Sequence, residues 1–552
     1  YVGEGVYSPD LTGEVFPIAL PNNVHLVGED PETTILDAEA DSLNEAAVMI
    51  IKVVEDVRIA NLTLTGGSSE GYGCTGGGGI QLSYDGVPSD ATDDTSGWRA
   101  LTYPVIENVI IEENHSFNGG GMSFYRVEGP VLNNVTIRNN TAAYRGGGIF
   151  AIGSTMMMTG VTITGNECFE LNGGGMMLAA TDGVYDNMTI TNNSCGTHGG
   201  GIWTNYSGGP ESYDDGWTLI NSTISGNTAA RLGGGINFAW SHPTVINCTI
   251  SDNTSLWGGG GINGIESGFT IKSSIIKDNY TEGHGGGIRT GAELYDGLEP
   301  PVIEDCIVTG NEAEGDGGGI ILMDNIDAVI ARTSVVNNHA GGYLGGIDIE
   351  GTTATITNVT VSGNTSGYGG GIGLSAGASV DIANSIVWDN TGEEVFNYDG
   401  SINVIYSDIS NDDFKEGMRH LAASVTVITV AQNGKQDGLT ATAACSVSAE
   451  PPQLLVCVNR EAGAHDLIQE EGFFGVNVLA RDQEDIAKRF AGIDGSNRLD
   501  RYLLGEWTKL ITGAPILKGA LACFDCQVAK SMTAGTHSIF ICRIVGINYR
   551  AV

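Results

Sequence analysis

The chain has 552 residues, of which 25 are Lys or Arg and 66 are Asp or Glu, so its formal net charge is −41. This length exceeds what one compact hydrophobic core normally supports, and we expect at least two folding units. The strong negative charge excludes nucleic-acid binding, and no apolar run approaches the roughly 18 residues of a membrane span.

The excess of acid lies wholly in the first part of the chain. Residues 1–412 hold 11 basic and 51 acidic side chains, a net charge of −40, whereas residues 413–552 hold 14 and 15, a net charge of −1. A glycine-rich repeat stops at the same place, after Ser410. We therefore predict one domain at 1–411 and a second at 412–552. The acidic surface is typical of a secreted or salt-exposed protein that can bind cations, Ca²⁺ among them, although solvated acidic loops are the favoured interpretation of its acidic insertions.

An Asn recurs at a nearly constant interval through the first domain. It closes segments of the type Thr-Ile-x-x-Asn, at Asn114, Asn140, Asn166, Asn193, Asn227, Asn253, Asn279, Asn311, Asn338, Asn364 and Asn390. The intervals are 26, 26, 27, 34, 26, 26, 32, 27, 26 and 26 residues. Most of these Asn residues precede a glycine run and an apolar residue, as in Gly285-Gly286-Gly287-Ile288. Short β-branched strands between Gly and Asn turns at this period predict a solenoid in which each period is one coil.

Asn at the same place in successive coils can form a ladder in which each amide satisfies the next. We interpret this Asn column as structural; the alternative is glycosylation at sequons such as Asn134-Val135-Thr136. Cys248 and Cys306 occupy one inward repeat position, with one coil between them. They should be roughly 9 to 10 Å apart, too far for a disulfide, so we predict buried thiols.

The segment Asn364-Thr365-Ser366-Gly367-Tyr368-Gly369-Gly370-Gly371-Ile372 resembles the repeats of pectate-lyase-like β-helix proteins and of chlamydial polymorphic outer-membrane proteins. The opening of the chain, with Gly5-Val6-Tyr7-Ser8 and Thr34-Ile35-Leu36-Asp37-Ala38, is similar to the first coils of secreted β-helices. The resemblance implies an all-β, right-handed parallel β-helix over nearly all of residues 1–411. It says little about function.

Lyases and hydrolases of this fold place paired carboxylates, or Ca²⁺-binding acids with a basic residue, on adjacent coils. The row before the glycine run contains Arg145, Asn172, His198, Leu232, Trp257, His284, Asp316, Leu344 and Tyr368. No chemistry repeats along this row, and coils separate His198 from His284, so no metal ligand is assigned. Acidic insertions at 90–94 and 214–215 lack the spacing of a known Ca²⁺ loop. The row favours a structural surface, or one that binds a glycan or a cell-surface ligand, over a carbohydrate-active enzyme.

Residues 412–552 have the pattern of a mixed domain of strands and short helices. Helices are predicted at 414–421 and 483–490, and strands at 424–430 and 538–545. Cys523 and Cys526 form a Cys-x-x-Cys pair, but the pair lies in an expected strand at 520–528, where residues three apart point to opposite faces. A redox pair needs a helix start, so we assign both thiols to packing.

Three strings in this domain closely resemble the short flavin reductases that supply reduced flavin to two-component monooxygenases: Gly438-Leu439-Thr440-Ala441-Thr442-Ala443, Cys445-Ser446-Val447-Ser448 and Leu454-Leu455-Val456-Cys457-Val458-Asn459-Arg460. Thr512-Gly513-Ala514-Pro515 and Gly535-Thr536-His537 follow in the same order. The resemblance implies a flavin-binding split β-barrel with short helices, a homodimer, FMN or FAD, NAD(P)H, and a monooxygenase partner. The family continues with a final strand and an aromatic-basic tail, which the sequence ending at Val552 lacks, so a truncated barrel edge is expected.

The segment from Thr440 to Ser448 has the composition of a phosphate cradle, because its small residues admit the backbone and its hydroxyls donate without adding charge. A plain β-turn is the alternative. The predicted flavin contacts are Thr440, Ala441, Thr442, Ser446, Val447, Ser448, Asn459, Arg460 and Asn477. By resemblance, His537 is the catalytic residue near the nicotinamide, while hydride passes directly to flavin N5. The alternatives are a surface ion pair for Arg460 and a buried structural role for His537.

The two domains imply different compartments: the β-helix an extracellular or cell-surface place, and the reductase the cytoplasm. The sequence opens at Tyr1 without Met or a signal-like stretch, which indicates a mature chain or a fragment, and a chimeric reading frame is an alternative to a natural fusion. Three functions stay open: an NAD(P)H-dependent flavin reductase, a secreted adhesin-like or structural β-helix, and a polysaccharide lyase or hydrolase.

Overall fold

The structure, a computed structural model, describes residues 1–52, 54–69, 76–83, 100–101, 103–205, 216–291, 300–324, 327–409, 424–432, 434–493, 495, 497–534 and 536–550. The chain divides into two compact units, Tyr1–Phe414 and Lys415–Val552. The predicted helix at 414–421 and the acidic insertions at 90–94 and 214–215 lie outside the described residues.

The first unit is a parallel β-solenoid whose described strands form three sheets. Sheet 1 takes two strands from most coils, and its 28 described strands are Gly5–Tyr7, His25–Val27, Thr34–Asp37, Arg58–Thr65, Ala100–Leu101, Val105–Glu112, Val127–Asn133, Thr136–Arg138, Thr155–Thr159, Thr162–Thr164, Asp182–Asp186, Thr189–Thr191, Thr218–Ile220, Thr223–Ser225, Thr244–Ile246, Thr249–Ser251, Thr270–Lys272, Ile275–Lys277, Val302–Glu304, Ile307–Thr309, Ala328–Ala331, Ser334–Val336, Thr353–Thr357, Thr360–Ser362, Ser379–Ala383, Ile386–Trp388, Ser401–Ile405 and Asp408–Ile409.

Sheet 2 follows the glycine runs, and its 14 described strands are Ile18–Ala19, Met49–Ile51, Ile80–Ser83, Met122–Tyr125, Ile149–Ile152, Met176–Ala179, Ile202–Asn205, Ile236–Ala239, Ile262–Ile265, Ile288–Gly291, Ile320–Met323, Ile347–Glu350, Ile372–Ser375 and Val395–Asn397. Sheet 3 follows the Asn column, and its 10 described strands are Ser68–Ser69, His115–Asn118, Thr141–Arg145, Glu167–Cys168, Ser194–Cys195, Thr228–Ala229, Thr254–Ser255, Tyr280–Thr281, Glu312–Ala313 and His339–Ala340. The predicted solenoid of strands is confirmed.

Each coil bends between its two sheet 1 strands at a residue with left-handed backbone. Asn247, with φ 53°, links Thr244–Ile246 to Thr249–Ser251, and Asn134, Asn221 and Asn358 have the same conformation. Asn tolerates this region because its short polar side chain can hydrogen-bond locally. The Asn134 sequon, and a second one at Asn247-Cys248-Thr249, therefore fall on corners of the coil.

An apolar column fills the interior behind sheet 2. The first residue of each strand after a glycine run points inward, and Ile236, Ile262, Ile288 and Ile320 are 0% exposed. Burying such a side chain stabilises the fold by about 1.5–3 kcal/mol relative to leaving it in water. The glycines before this column permit close packing of coils: a Cβ on Gly234 would lie 2.5 Å from the carbonyl oxygen of Gly260.

The Asn column forms the predicted ladder. Nδ2 of Asn253 donates to Oδ1 of Asn279 at 2.9 Å and to the carbonyl of Ile224 at 3.0 Å. Oδ1 of Asn253 accepts from both Nδ2 and the backbone N–H of Asn227, each at 3.0 Å. The same bonds join every consecutive pair from Asn114 to Asn390. The structural interpretation of the column is confirmed.

The inward cysteines of the solenoid are free thiols. Cys248 and Cys306 are each 2% exposed, and burial raises the pKa of each thiol to about 11. Ser274 lies between them in the stack and accepts the backbone N–H of Cys248 at 3.0 Å. The prediction of buried, unbridged thiols is confirmed.

The second unit is built on a seven-stranded antiparallel sheet. Across the sheet, the strands are ordered Lys435–Ala441, Thr426–Gln432, Phe473–Val478, Ala522–Ala534, His537–Tyr549, Pro452–Asn459 and Ala444–Ala449. A further pair consists of Trp507–Lys509 and Pro515–Leu517. The strand predicted at 424–430 is observed at Thr426–Gln432, and the strand predicted at 538–545 lies within His537–Tyr549. Cys523 and Cys526 pack in two different hydrophobic cores, as expected for opposite faces of one strand.

Two α-helices are described in the second unit: α1 (Gly463–Glu471) and α2 (Glu484–Ala491). α2 matches the predicted helix at 483–490, whereas α1 was not predicted. Both end at a glycine with left-handed backbone, Gly472 at φ 73° and Gly492 at φ 74°, which is the usual C-terminal glycine cap. Short 3₁₀ turns lie at Arg481–Gln483 and Arg498–Leu503. No helix among the described residues is long and apolar enough to cross a membrane.

Candidate functional site

The predicted phosphate cradle spans the two edge strands of the antiparallel sheet, which follow one another in the chain. The edge strands Lys435–Ala441 and Ala444–Ala449 are consecutive in the chain, separated only by Thr442 and Ala443. Because so short a link cannot span a flat seven-stranded sheet, the sheet must curl until its edges are adjacent. This curling favours the predicted barrel and places the cradle at its seam.

Three cradle hydroxyls are available to a ligand. Among the described residues, none forms a hydrogen bond with the side chains of Thr442, Ser446 or Ser448. Thr440 differs, because its hydroxyl donates to the carbonyl of Ala487 in α2 at 2.7 Å. Its proton therefore anchors the edge strand to α2 and is not free for a phosphate. This bond favours an anchoring role for Thr440, while the contacts of Thr442, Ser446 and Ser448 with a flavin stay predictions.

The remaining cradle residues are small or exposed. The pairing of Ala444–Ala449 with Pro452–Asn459 shifts register between Ser446 and Ser448, which makes Val447 a bulge residue, 45% exposed. Ala441 presents only a methyl group, and its carbonyl accepts the hydroxyl of Thr426 at 2.6 Å. Bulges commonly redirect side chains and free backbone groups at sites. A flavin would therefore contact Ala441 and Val447 through their backbone groups and not through their side chains.

Asn459, Arg460 and His537 converge beside the cradle. Asn459 pairs with His537 across neighbouring strands, and the backbone N–H of Arg460 donates to the carbonyl of Thr536 at 2.9 Å. The backbone N–H of Cys457, two residues before Asn459, donates to the carbonyl of Ala443 at 3.1 Å. Two residues of strand span about 7 Å, so the cradle turn and these side chains occupy one end of the sheet.

The exposed faces at this end suit an anionic, planar ligand. Arg460 is exposed, and among the described residues it forms no ion pair with an acidic side chain. The alternative role of Arg460, a surface ion pair, is therefore not observed in this part of the chain. His537 is half-buried, and its Nδ1 lies 2.9 Å from Oγ1 of Thr536. The arrangement offers neutral hydroxyl donors, one guanidinium and one imidazole.

Asn477 lies elsewhere, in the core of the unit. It is 0% exposed, and its Nδ2 donates to the carbonyl of Val427 at 3.0 Å. Its Oδ1 accepts the backbone N–H of Leu517 at 2.7 Å. The side chain therefore holds the Pro515–Leu517 strand to the main sheet, and these bonds favour a structural role over the predicted flavin contact.

Two positioning groups were not found from the sequence. Asp437, 5% exposed, accepts from Arg498 and, at 3.3 Å, from Nη1 of Arg501, which fastens the cradle strand to the 3₁₀ turn Arg498–Leu503. His465 of α1 is buried, with Nε2 2.9 Å from Oγ of Ser538, the neighbour of His537. These partners are 61, 64 and 73 positions apart and carry no local signal of contact, so only the tertiary structure reveals them.

In the solenoid, His198 and His284 lie three coils apart, about 14 Å by strand spacing. Burial and then Arg231 lower the pKa of His198 to about 4. Nδ1 of His284 lies 3.3 Å from Oδ2 of Asp316, and this contact raises the pKa of the imidazole. Asp316 in turn lies beside Asp348 and Glu350, a cluster that the repeat row alone did not reveal.

Residues 418–551 match the family described as flavin reductase like domain, and residues 161–340 match the right handed beta helix region. The second match confirms the handedness expected for the solenoid. The chain is 41% identical over 143 residues to an FMN reductase (NADH), RutF, of Pseudomonas syringae pv. syringae, covering 26% of this chain and 79% of the relative. The RutF of Stutzerimonas stutzeri is 39% identical over 142 residues, with 26% and 80% covered.

Among solved structures, a putative flavin reductase from Haemophilus somnus 129pt is 37% identical, with 25% of this chain and 88% of that chain covered and a TM-score of 0.25. The flavin reductase PheA2 in its native state is 34% identical, with the same coverage and a TM-score of 0.24. The ordered strings of the cradle, the Asn459–Arg460 pair and His537 lie within the matched residues. Through its second unit, the chain belongs to the flavin reductase family.

Proposed function

We propose that the second unit binds FMN through the cradle and reduces it with NADH. The observation that carries this proposal is that the cradle turn, with the free hydroxyl of Thr442, lies at the end of the sheet that bears Asn459, Arg460 and His537. The named relatives are FMN reductases that use NADH, which supports FMN and NADH over FAD and NADPH.

Each side chain has a distinct task in this proposal. Thr442, Ser446 and Ser448 donate to the flavin and its phosphate along the cradle strand, and the guanidinium of Arg460 offers positive charge at the end nearest Thr442. His537 orients the nicotinamide and stabilises the negative charge that develops on the ring system. A bound flavin supplies the hydride acceptor at N5. Asp437 and His465 act only by positioning the cradle strand and the His537 strand.

The test is NADH oxidation by the full chain, followed by absorbance, with FMN or FAD added and with NADPH in parallel. We expect turnover with FMN and NADH, and a higher KM for FMN in Arg460→Ala. The matched control is Arg481→Ala, an exposed Arg of the same unit outside the cradle. Absence of turnover with every pair of substrates, or equal effects of the two variants, would contradict the proposal.

A monooxygenase component that consumes the reduced flavin is proposed as the partner. Reduced flavin reacts with oxygen once released, so rapid transfer to such an enzyme is the productive fate. The test is oxygen consumption by the full chain with FMN and NADH. Oxygen uptake that matches NADH loss supports release of reduced flavin, whereas NADH loss that stops after one equivalent per chain contradicts it.

For the first unit, a glycan-binding surface is the second candidate function. Tyr343 and Tyr368 stack at 4.5 Å between ring centroids and are 46% and 60% exposed. Exposed stacked aromatic rings form a flat apolar platform of the kind that sugar rings pack against. Binding on a glycan array without release of sugar supports this function and an extracellular place. Release of unsaturated or reducing sugars supports the lyase or hydrolase instead.

A further inference from the structure

Three carboxylates from adjacent coils of the solenoid meet at one point. Asp348 and Glu350 belong to the sheet 2 strand Ile347–Glu350, and Asp316 lies at the corner of the preceding coil. Each offers an oxygen, and the three oxygens lie within 4.8 Å of one another. Asp348 and Glu350 are two residues apart in a strand, so both project from the outer face of the sheet. The acids therefore face away from the apolar core.

The carboxylate of Asp348 is buried without full compensation. The residue is 1% exposed, and its Oδ1 has no hydrogen-bond partner in the described part of the chain. An uncompensated buried carboxylate costs several kcal/mol, so such an atom needs a physical explanation, and a bound ion is one that this acidic site admits. Burial, and then the charges of Glu350 and Asp316, raise the pKa of Asp348.

The base nearest this cluster is His284, whose Nδ1 lies 3.3 Å from Oδ2 of Asp316 and whose charge opposes the rise that burial causes in the pKa of Glu350. Across the described residues, neither Asp348 nor Glu350 forms an ion pair with Lys or Arg. Arg289 lies in the same row of sheet 2, but Ile321 stands between it and Asp348. Its Nη1 donates instead to Oδ1 of Asn263 at 2.9 Å, on the far side. Asp316 is already held by the backbone N–H of Tyr343 at 2.6 Å.

We propose that Asp316, Asp348 and Glu350 bind one divalent cation, with Ca²⁺ as the expected ion. Ca²⁺ takes carboxylate oxygens at about 2.3–2.6 Å, so two ligands on opposite sides of one ion are about 5 Å apart at most, which the cluster satisfies. Asp316 and Glu350 are only half-buried, so water can complete the coordination. The buried oxygen of Asp348 gains the partner that the protein does not provide.

The site is distinct from the acidic insertions, and its ligands have no recognisable spacing. Asp316 occupies the corner row before a glycine, whereas Asp348 and Glu350 follow the next glycine run, 32 and 34 residues later. The neighbouring stacked pair Tyr343 and Tyr368 borders Asp316 through the Tyr343 backbone. A bound cation would therefore stiffen the corner that carries the aromatic platform.

The test is calcium titration of the EDTA-treated full chain by calorimetry in 150 mM NaCl, which screens weak binding to the acidic surface. We expect one tight site per chain, weakened at least tenfold in Asp348→Asn and in Glu350→Gln. Asp381→Asn, an exposed carboxylate on sheet 1, is the matched control and should keep the site. Absence of a tight site, or a site unchanged in both cluster variants, overturns the proposal.

Thermal unfolding gives a second readout, which is the Tm of each chain measured with and without calcium. Without calcium, Asp348→Asn should melt above the unmodified chain, because a buried charge is removed. Calcium should raise the Tm of the unmodified chain and leave the Tm of Asp348→Asn unchanged. If Asp348→Asn does not fold, Glu350→Gln decides, since its side chain is half-buried and tolerates the change. Equal calcium shifts in the unmodified chain and Glu350→Gln overturn the proposal.

Discussion

Nδ2 of Asn390 donates to Oε2 of Glu394 at 2.6 Å, whereas Asn364 one coil earlier donates to the Asn390 amide oxygen at 2.9 Å. The acid thus takes the place of a further Asn at the end of the column. Oε1 of Glu394 also lies 3.4 Å from the backbone N of Asn390. A carboxylate repeats the two acceptor contacts that each column amide makes with the preceding coil.

Substitution of an Asn inside this column should destabilise the protein far more than substitution of an Asn on the surface. Asn253→Ala removes four hydrogen bonds and leaves the backbone N–H and one Nδ2 hydrogen of Asn227 unpaired, so we expect a loss of about 3–5 kcal/mol in the free energy of unfolding. Urea unfolding followed by circular dichroism measures it. Asn403→Ala, which removes one exposed bond to Asp381, should change stability by less than about 0.5 kcal/mol. Similar losses in both variants would refute the buried ladder.

Two hydroxyls of the cradle should respond in opposite ways. Ser446→Ala removes a free donor, and we expect about 3- to 10-fold weaker FMN binding with unchanged stability. Thr440→Val removes the bond to Ala487 and should destabilise the unit by about 1 kcal/mol while leaving the FMN affinity almost unchanged. Fluorescence titration of FMN and urea unfolding separate the two effects. A larger affinity loss in Thr440→Val would show that its hydroxyl contacts the ligand.

His537 should affect turnover more than flavin affinity. Removing a group that stabilises developing charge typically lowers kcat about 100-fold, so His537→Asn should show this loss with NADH and FMN. The FMN dissociation constant should stay within about twofold. His339→Asn, an exposed His of the solenoid, is the control. A parallel loss of FMN binding in His537→Asn would instead assign His537 to the flavin site.

Thiol labelling can report on occupancy of the cradle. Cys445 is exposed within the cradle, whereas burial raises the pKa of the Cys248, Cys306 and Cys523 thiols to about 11. A raised pKa leaves those thiols protonated below pH 11, so at pH 8 a maleimide should label Cys445 and spare them. Added FMN should slow labelling of Cys445, measured by mass spectrometry of peptides. Labelling that is indifferent to FMN would place the flavin elsewhere.

The sequence alone was sufficient for everything that repeats. The Asn interval, the glycine runs and the apolar residue after them determine the coil, because each coil meets the same neighbours at the same positions. The Ile262 and Ile288 positions and the Asn253–Asn279 bond follow from that periodicity. Three strands of the second unit, those predicted at 424–430, 520–528 and 538–545, and the resemblance of its cradle were likewise readable from local order.

Only the tertiary structure determined which polar side chains contact one another when they are distant in the sequence. It brings Asp316 to Asp348, joins His465 to Ser538, and moves Asn477 into the core, and none of these follows from spacing. The physical reason is that a hydrogen bond or a shared ion depends on angles and on separations of a few ångströms. Strand pairing and corner geometry set those separations between residues that are distant in the chain.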